Sequence, residues 1–388
     1  MERRALWTSG AVAVVVGFTS SAVVVLAGLD AVGATPSQAA SGLLVLCLFS
    51  GLGTLWLSSR HRVPVLLAWS TPGAALLAST GGDVPGGWPA AVGAFVVTGL
   101  LVLLTGLVPR LGDLMAAIPV PVAQAMLAGV LFELCLGPVR GLAETPLLVA
   151  PVVVVWLLGT ALRPRLAAPL AFMVALAVMG AEVARSGGWS GPVAPQVDLV
   201  VPSLTWGAVV SLAVPLYVVT MASQNVPGVA VLAAHGYRAP WRDSMLTTGA
   251  LTALGAAAGG HAVNLAAITA ALVASEEAGP DPAQRWRAAR AAGWTYVVLA
   301  GASTALATLV ALGPATVVAA VAGLALLGTL ASALQGALAQ EASRLPAVLT
   351  FVVAASGVVV LGLGAAFWSL VVGLVVHALV VRRVGVAA

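Results

Sequence analysis

The polar side chains best suited to chemistry occur in three short stretches, each of which interrupts an apolar run. Residues 69–73 read WSTPG, residues 220–228 read TMASQNVPG, and residues 259–264 read GGHAVN. Hydroxyl, amide and imidazole groups donate hydrogen bonds, so together they could hold an anion. In an apolar setting such groups are costly unless they line a cavity or satisfy a helix end. The sequence therefore indicates a polar binding site inside an otherwise apolar protein.

Two of these stretches have the composition of a helix start. Ser70 or Thr71 before Pro72 can cap free backbone N–H groups, and proline is tolerated in a first helical turn. After the glycines at 259–260, Asn264 is predicted to cap the apolar helix that follows. Helix N-termini that point toward one another favour an anion. The alternative is that both stretches are ordinary kinks whose polar groups satisfy their own backbone.

We predict that the binding residues come from these stretches and from a hydroxyl-bearing stretch, residues 17–21, in the first apolar segment. The candidates are Thr19, Ser20, Ser70, Thr71, Gly73, Ser223, Gln224, Asn225, His261 and Asn264. The polar run at 220–228 fits either a cavity lining or the loop at a helix end. Neither a cofactor nor a metal ion is expected, because the sequence contains no motif for either.

Membrane-spanning helices must position these residues. Hydrophobic residues make up 61% of the 388 positions and charged residues only 8%, against about 25% in an ordinary soluble domain. Most of the exterior must therefore meet lipid, which excludes a soluble globule. The 43 glycines favour closely packed helices over a β-barrel. The excess of basic over acidic residues comes from arginines in short loops between apolar runs, so nucleic-acid binding is not expected.

Apolar runs of about 20 residues predict fourteen spans in an all-α polytopic membrane protein. The runs are 8–28, 37–57, 63–80, 89–109, 117–136, 145–162, 165–184, 204–223, 243–258, 261–275, 291–312, 315–338, 345–362 and 364–381. The third and tenth are short and interrupted, which predicts discontinuous helices. If the N-terminus is cytoplasmic, all arginines except Arg140 and Arg185 lie on the inner side. Both termini are therefore predicted in the cytoplasm.

An internal repeat divides the chain into two halves. An offset of 194 residues aligns AMLAGVLF at 125–132 with AAVAGLAL at 319–326. Pro119 lies about 195 residues before Pro314. Chance similarity between two helices rich in alanine, glycine and valine is the alternative. The third and tenth spans are separated by nearly the same number of residues. Because each half has seven spans, the second must be inverted relative to the first, an architecture typical of secondary transporters.

The three stretches resemble those of a known family. TMASQNVPG (220–228), GGHAVNLAAITAA (259–271) and WSTPGAALL (69–77) are similar to the benzoate:proton symporters, or BenE-type benzoate transporters, over essentially the whole chain. This family more distantly resembles the uracil permease and sulfate permease fold group. The resemblance implies import of benzoate or a related aromatic carboxylate with a proton, across a bacterial inner membrane.

The same resemblance implies two domains that move against each other. Residues 1–110 and 201–312 correspond to a core domain of spans one to four and eight to eleven. Residues 111–200 and 313–388 correspond to a gate domain of the remaining spans. Substrate is expected between broken spans three and ten and beside span eight. Relatives of this fold are often dimers through the gate domain, so a homodimer is also implied.

One departure from the fold group concerns charge. Nucleobase permeases of this fold bind substrate through carboxylates in spans eight and ten, whereas the matching stretches here contain Gln224, Asn225, His261 and Asn264. Acidic groups would repel a carboxylate substrate, so their absence from these stretches favours a carboxylate as the substrate. The alternatives are a nucleobase or inorganic-anion permease, a channel, and a membrane-embedded enzyme. The enzyme is disfavoured because no catalytic constellation is present.

Proton coupling needs a titratable group near the substrate. Carrying one negative charge inward against 100 mV costs about 2.3 kcal/mol, and a co-transported proton cancels that cost. His261, in a broken span, is the predicted proton carrier or a donor to the carboxylate. The alternative is a neutral histidine that donates to a backbone carbonyl. Glu133, the other ionisable group placed within a span, is the second candidate for coupling. The alternatives are that it is paired, protonated or near a helix end, with Arg140 about two turns further along.

Overall fold

The computed structural model describes residues 2–384 except 81–83, 85 and 268. Most of the described residues are helical. The first half contains helices α1 (Glu2–Ala31), α2 (Pro36–His61), α3 (Thr71–Ala78), α4 (Gly87–Leu107), α5 (Pro109–Ala116), α6 (Val120–Cys135), α7 (Gly137–Glu144), α8 (Pro146–Leu162) and α9 (Ala167–Arg185), with strand β1 (Leu67–Trp69) before α3.

The second half repeats this order of elements. It contains α10 (Trp206–Ala234), α11 (Trp241–Ala256), strand β2 (Val263–Leu265), α12 (Ala270–Ala274), α13 (Trp286–Ala300), α14 (Ser303–Leu312), α15 (Ala315–Leu338), α16 (Arg344–Ala355) and α17 (Ala365–Val384). Thus a strand followed by a short helix stands third in the first half and third again in the second.

The prediction of an all-α polytopic membrane protein is confirmed, apart from one two-stranded sheet. Among the described residues, seven helices are long and apolar enough to cross a membrane, and α13 with α14 makes an eighth, bent by 53°. Each of the fourteen predicted segments contains a helix or a strand followed by a helix. Several of these helices are shorter than a full crossing, so the count of fourteen spans stays a prediction.

The sheet joins the two broken segments. Strands β1 and β2 are antiparallel, with Leu67 opposite Leu265 and Trp69 opposite Val263. Within a bilayer an extended backbone has no water to satisfy its N–H and C=O groups, so each strand uses the other. The predicted breaks in the third and tenth segments are therefore present. We call the place where their strands pair the crossing of β1 and β2.

Helix α10 differs from the prediction that the eighth segment spans residues 204–223 and then ends in a polar run. It continues to Ala234, so the polar residues at 220–228 lie inside a helix. Two wide turns, Val209–Ala213 and Met221–Asn225, precede Pro215 and Pro227 by two residues each. Proline lacks an N–H group and crowds the carbonyl four residues earlier, and a widened turn relieves both problems. The helix therefore absorbs two prolines without ending.

The helices pack in two groups. In one, α1, α2 and α4 contact α11, α13 and α14, and α3 packs on α1. In the other, α6, α7 and α8 contact α9, α15, α16 and α17. The groups meet where α1 packs on α15 and where α3 packs on α6. Small residues allow this closeness, since a methyl group on Gly99 of α4 would lie 2.4 Å from the backbone nitrogen of Ala253 on α11.

Geometry at equivalent positions supports the internal repeat. Pro119 precedes α6 with φ −59° and ψ 124°, and Pro314 precedes α15 with φ −61° and ψ 125°. These two helices pack directly on each other. Gly129 and Gly323, which the offset of 194 pairs, are both in close contact with a neighbouring helix. The similarity in sequence thus corresponds to similar backbone geometry and packing.

Candidate functional site

The crossing of β1 and β2 is the centre of the candidate site. Beyond the paired strands, the Ser70 N–H donates to the Ala262 carbonyl at 3.0 Å, and the Ala266 N–H donates to the Leu66 carbonyl at 2.9 Å. Every residue from Leu67 to Ser70 is buried or half-buried. The two chain breaks therefore form one unit whose backbone polar groups are largely paired.

Ser70 begins helix α3 at this crossing. Its hydroxyl oxygen accepts from the Gly73 N–H at 3.0 Å and from the Thr220 hydroxyl of α10, also at 3.0 Å. Gly73 permits this contact, because a methyl group there would lie 2.8 Å from the Ser70 hydroxyl oxygen. The predicted cap at Ser70 is thus present, and it also attaches the start of α3 to α10.

His261 is fully buried beside Ser70. Its Nε2 lies 2.9 Å from the Ser70 carbonyl oxygen. A carbonyl only accepts, so Nε2 carries the proton in this contact. Nδ1 has no hydrogen-bond partner among the described residues, and the ring packs edge-on against Phe95. The alternative considered for this histidine, donation to a backbone carbonyl, therefore describes one of its two nitrogens and leaves the other free.

Asn264 does not cap a helix, contrary to the expectation from sequence. It lies within β2, opposite Ala68, and α12 begins only at Ala270. With its amide turned to satisfy both atoms, Oδ1 accepts from the Ser70 N–H at 2.9 Å and Nδ2 donates to the Leu265 carbonyl at 2.9 Å. Strand pairing occupies residues 263–265, so a helix cannot start there.

Asn225 also braces the crossing instead of facing open space. Its Oδ1 accepts from the Leu265 N–H at 2.9 Å, and the side chain is fully buried. Because it lies in the wide turn Met221–Asn225, the turn itself brings the amide to β2. Helix α10 is thus attached to both broken segments, through Thr220 at one and Asn225 at the other.

Three of the predicted polar residues near the crossing have no side-chain hydrogen bond among the described residues. They are Thr71, Ser223 and Gln224, and each is half-buried. Thr19 and Ser20 instead donate to carbonyls of their own helix, with Thr19 bonded to Val15 at 2.7 Å. Their hydroxyl oxygens can still accept. The free donors of the site are therefore concentrated at the start of α3 and in the wide turn of α10.

An aromatic cluster next to Ser70 was not predicted from sequence. The Trp69 indole N–H donates to the Ser21 hydroxyl at 2.9 Å. Its ring meets Phe18 at 5.9 Å and Tyr296 at 5.6 Å between centroids, both edge to face. Trp69 precedes Ser70 in the WSTPG stretch, which was the available signal. Phe18 and Tyr296 are distant in sequence, and only the fold brings them together.

Glu133 lies away from the crossing. It is in the last turn of α6, its side chain is 56% exposed, and it forms an ion pair with Arg140 of α7. Residues 120–144 together are long and apolar enough to cross a membrane, so the position of Glu133 within a span stays a prediction, and its pairing with Arg140 is present. Helix α6 ends at Cys135, so the Glu133 carboxylate is near a helix end and within reach of the Arg140 guanidinium.

Glu133 and Arg140 line a cavity of about 700 Å³ between the two packing groups. One wall is formed by Leu26, Ala27 and Asp30 of α1, and the other includes residues of α6, α7 and α15. These α1 residues follow Thr19 and Ser20, so the cavity is at the end of α1 opposite its N-terminus. Residues 70–73 are not among its lining.

Comparison with known proteins identifies relatives over the whole chain. A family model described as benzoate membrane transport protein matches residues 3–379. The inner membrane protein YdcO of Escherichia coli is 38% identical over 367 residues, covering 94% of this chain and 93% of that protein. The benzoate membrane transport protein of Acinetobacter baylyi is 28% identical over 382 residues, covering 96% and 94%.

A solved structure shares the fold. The transmembrane domain of the cyanobacterial bicarbonate transporter BicA aligns with a TM-score of 0.58 at 16% sequence identity, covering 89% of this chain and 97% of that domain. At this level of identity the match concerns the fold alone.

Ser70→Ala should destabilise the protein, because it removes the cap of α3 and leaves the Thr220 hydroxyl without its acceptor. We expect the free energy of unfolding to fall by about 1–3 kcal/mol, measured by denaturant unfolding of the purified protein in detergent. Ser20→Ala is the matched control, since its hydroxyl donates only within α1, and it should change stability by less than about 0.5 kcal/mol. Equal effects of the two changes would contradict the bracing role of Ser70.

Proposed function

The chain belongs to the benzoate membrane transport protein family, and on that basis we propose that it imports benzoate or a related aromatic carboxylate together with a proton. Its family makes it a membrane transporter and not an enzyme. One observation carries the choice of substrate: the start of α3 and the adjoining turn of α10 offer free donors, and none of the stretches 67–78, 220–228 and 259–271 contains an acidic residue.

The proposed substrate pose follows from where the free groups lie. The carboxylate binds at the start of α3, where Thr71 is half-buried, and receives further hydrogen bonds from Ser223 and Gln224. A helix N-terminus favours a negative charge by dipole and by its unpaired N–H groups. The ring of the substrate packs toward the side of α1 that contains Thr19, Ser20 and the aromatic cluster. Ser70, Gly73, Asn225 and Asn264 hold the backbone that presents these donors.

The proton is proposed to bind His261 at Nδ1. Because Nε2 already donates to the Ser70 carbonyl, Nδ1 is the atom left to accept a proton. Protonation there places a positive charge next to the start of α3, which strengthens the binding of an anion. By linkage, a bound anion equally favours the protonated ring. Together the carboxylate and the proton carry no net charge, so the membrane potential does not oppose import.

Glu133 is the second candidate for coupling. It lines the cavity between the two packing groups and could exchange a proton with water there. However, its carboxylate is exposed and already paired with Arg140. We therefore assign it to the mouth of the access route, where it adjusts how Arg140 attracts an anion, and assign proton binding to His261.

Transport is proposed to occur by alternating access between two domains. The core domain comprises residues 1–110 and 201–312, and the gate domain comprises residues 111–200 and 313–388. The packing groups support this division, since helices within each group contact one another extensively and the cavity opens between the groups. Movement of the core domain would carry the crossing of β1 and β2 with it, because both strands belong to that domain.

The protein is proposed to lie in the inner membrane with both termini in the cytoplasm. The relative described as an inner membrane protein supports the location. The concentration of arginines in alternate loops supports the orientation. A homodimer through the gate domain remains part of the proposal, and the exposed apolar side of α8, including Leu147, Leu158 and Leu162, offers a face for lipid or a second copy.

An inorganic-anion carrier is the second candidate function. The shared fold with a bicarbonate transporter favours it, and the free donors at the start of α3 would also suit a small anion. A nucleobase carrier is less favoured, since the stretches around the crossing lack the carboxylates that such carriers use.

Competition for uptake separates these candidates. Labelled benzoate is added outside proteoliposomes that have an imposed inward proton gradient, together with an excess of unlabelled substituted benzoates, sulfate, bicarbonate or uracil. We expect substituted benzoates to reduce uptake by at least tenfold and the other three to leave it within twofold. Competition by sulfate or bicarbonate as strong as by benzoate would contradict the proposed substrate.

His261→Gln should uncouple uptake from the proton gradient. The Gln amide can still donate to the Ser70 carbonyl, but it cannot bind a proton. We expect benzoate exchange between equal concentrations to stay within about threefold of wild type, while uptake driven by a proton gradient falls at least tenfold. Glu133→Gln is the matched comparison and should retain the proton-driven component. If His261→Gln keeps gradient-driven uptake and Glu133→Gln loses it, the two assignments are reversed.

A further inference from the structure

A cleft of about 300 Å³ lies beside the first turns of α1. We name it the tryptophan–arginine cleft, and its lining residues are Leu6, Trp7, Trp286, Arg287, Arg290 and Trp294. Leu6 and Trp7 belong to α1, and the other four belong to α13. The cleft is therefore at the face of the protein that carries the N-terminus.

Close packing of two helices forms this cleft. A methyl group on Gly10 of α1 would lie 2.1 Å from the Ala288 carbonyl oxygen of α13, so the helices touch there. Beside this contact, Trp7 from α1 and a ridge of α13 residues spaced four apart, Trp286, Arg290 and Trp294, form the walls. Residues four apart lie on one side of a helix, which explains why α13 presents them together.

The cleft carries unpaired positive charge. The guanidinium carbons of Arg287 and Arg290 lie 5.6 and 5.4 Å from the centroid of the Trp286 ring. Both arginines are exposed, and neither forms an ion pair with a described acidic side chain. Arg165 is different, since it donates to Glu277 at 2.7 Å.

An exposed apolar strip continues from the cleft along both helices. Trp294 is 48% exposed, and Val298, one turn further along α13, is 74% exposed. On α1, Trp7 is 57% exposed and Val15, two turns further on, is 42% exposed. Tryptophan is enriched at the boundary between lipid headgroups and hydrocarbon, and exposed valines beyond it suit the hydrocarbon. The charged cleft and the apolar strip therefore follow the layers of a bilayer.

We propose that the tryptophan–arginine cleft binds an anionic glycerophospholipid from the surrounding membrane. The phosphate pairs with Arg287 and Arg290, whose planar guanidinium groups match phosphate oxygens. The indoles of Trp7 and Trp294 contact the glycerol region, and the acyl chains follow the strip toward Val15 and Val298. A free phosphate would meet the same arginines but would leave the exposed indoles and valines without a partner, so the membrane lipid is the occupant.

Native mass spectrometry of the full-length protein in detergent tests this site directly. The protein is titrated with dioleoylphosphatidylglycerol or dioleoylphosphatidylcholine, and bound lipid is counted for wild type and for Arg287→Gln/Arg290→Gln. A basic residue near an anionic lipid surface contributes about fivefold in affinity, so the double variant should bind phosphatidylglycerol about 25-fold more weakly. Phosphatidylcholine should bind wild type and variant alike.

The matched control is Arg110→Gln/Arg163→Gln, which removes the same charge at exposed positions outside the cleft and should change phosphatidylglycerol binding by less than threefold. Millimolar inorganic phosphate should not displace the lipid. A second measurement needs no variant: brominated phosphatidylglycerol should quench tryptophan fluorescence of wild type at lower concentration than brominated phosphatidylcholine. An equal loss in the control pair, equal affinity for both lipids, or displacement by phosphate would each overturn the proposal.

Discussion

Ser70 supplies the hydrogen bonds on which the rest of the structure depends. A broken helix inside a bilayer exposes backbone groups that water cannot satisfy, and each unpaired group would cost several kcal/mol. Three groups of Ser70 satisfy this constraint. Its N–H donates to the carbonyl of Ala262 beside β2, its carbonyl accepts from His261, and its hydroxyl accepts from Thr220. Through these contacts one residue ties the third segment to the tenth segment and to α10.

This bracing determines which polar groups remain available for a substrate. Asn225 and Asn264 are committed to backbone atoms of the crossing, whereas Thr71, Ser223 and Gln224 are not. The site can therefore be rigid and still offer free donors. His261 belongs to both sets, because one nitrogen braces Ser70 and the other is unpartnered.

Much of this architecture could be predicted from sequence, because burial in lipid leaves a strong compositional signal. The broken third and tenth segments followed from the WSTPG and GGHAVN stretches and their similar positions in the two halves.

Long-range pairing could not be predicted from sequence. The register of β1 on β2 places Asn264 where it bonds to the backbone of the crossing and does not cap a helix. The polar run at 220–228 resembled a helix end because proline normally ends a helix, and the wide turns that accommodate it have no clear sequence mark. The pairing of Glu133 with Arg140 depends on the turn between α6 and α7, whose geometry the sequence does not determine.

The central claim is that an anion at the start of α3 and a proton on His261 bind together. Isothermal titration of the purified protein with benzoate, repeated at one pH in buffers of different ionisation enthalpy, measures the protons taken up per benzoate bound. The account predicts uptake approaching one proton in wild type at a pH where free His261 is neutral, and none in His261→Gln. Benzoate binding with no proton uptake in wild type, or with unchanged uptake in the variant, would contradict it.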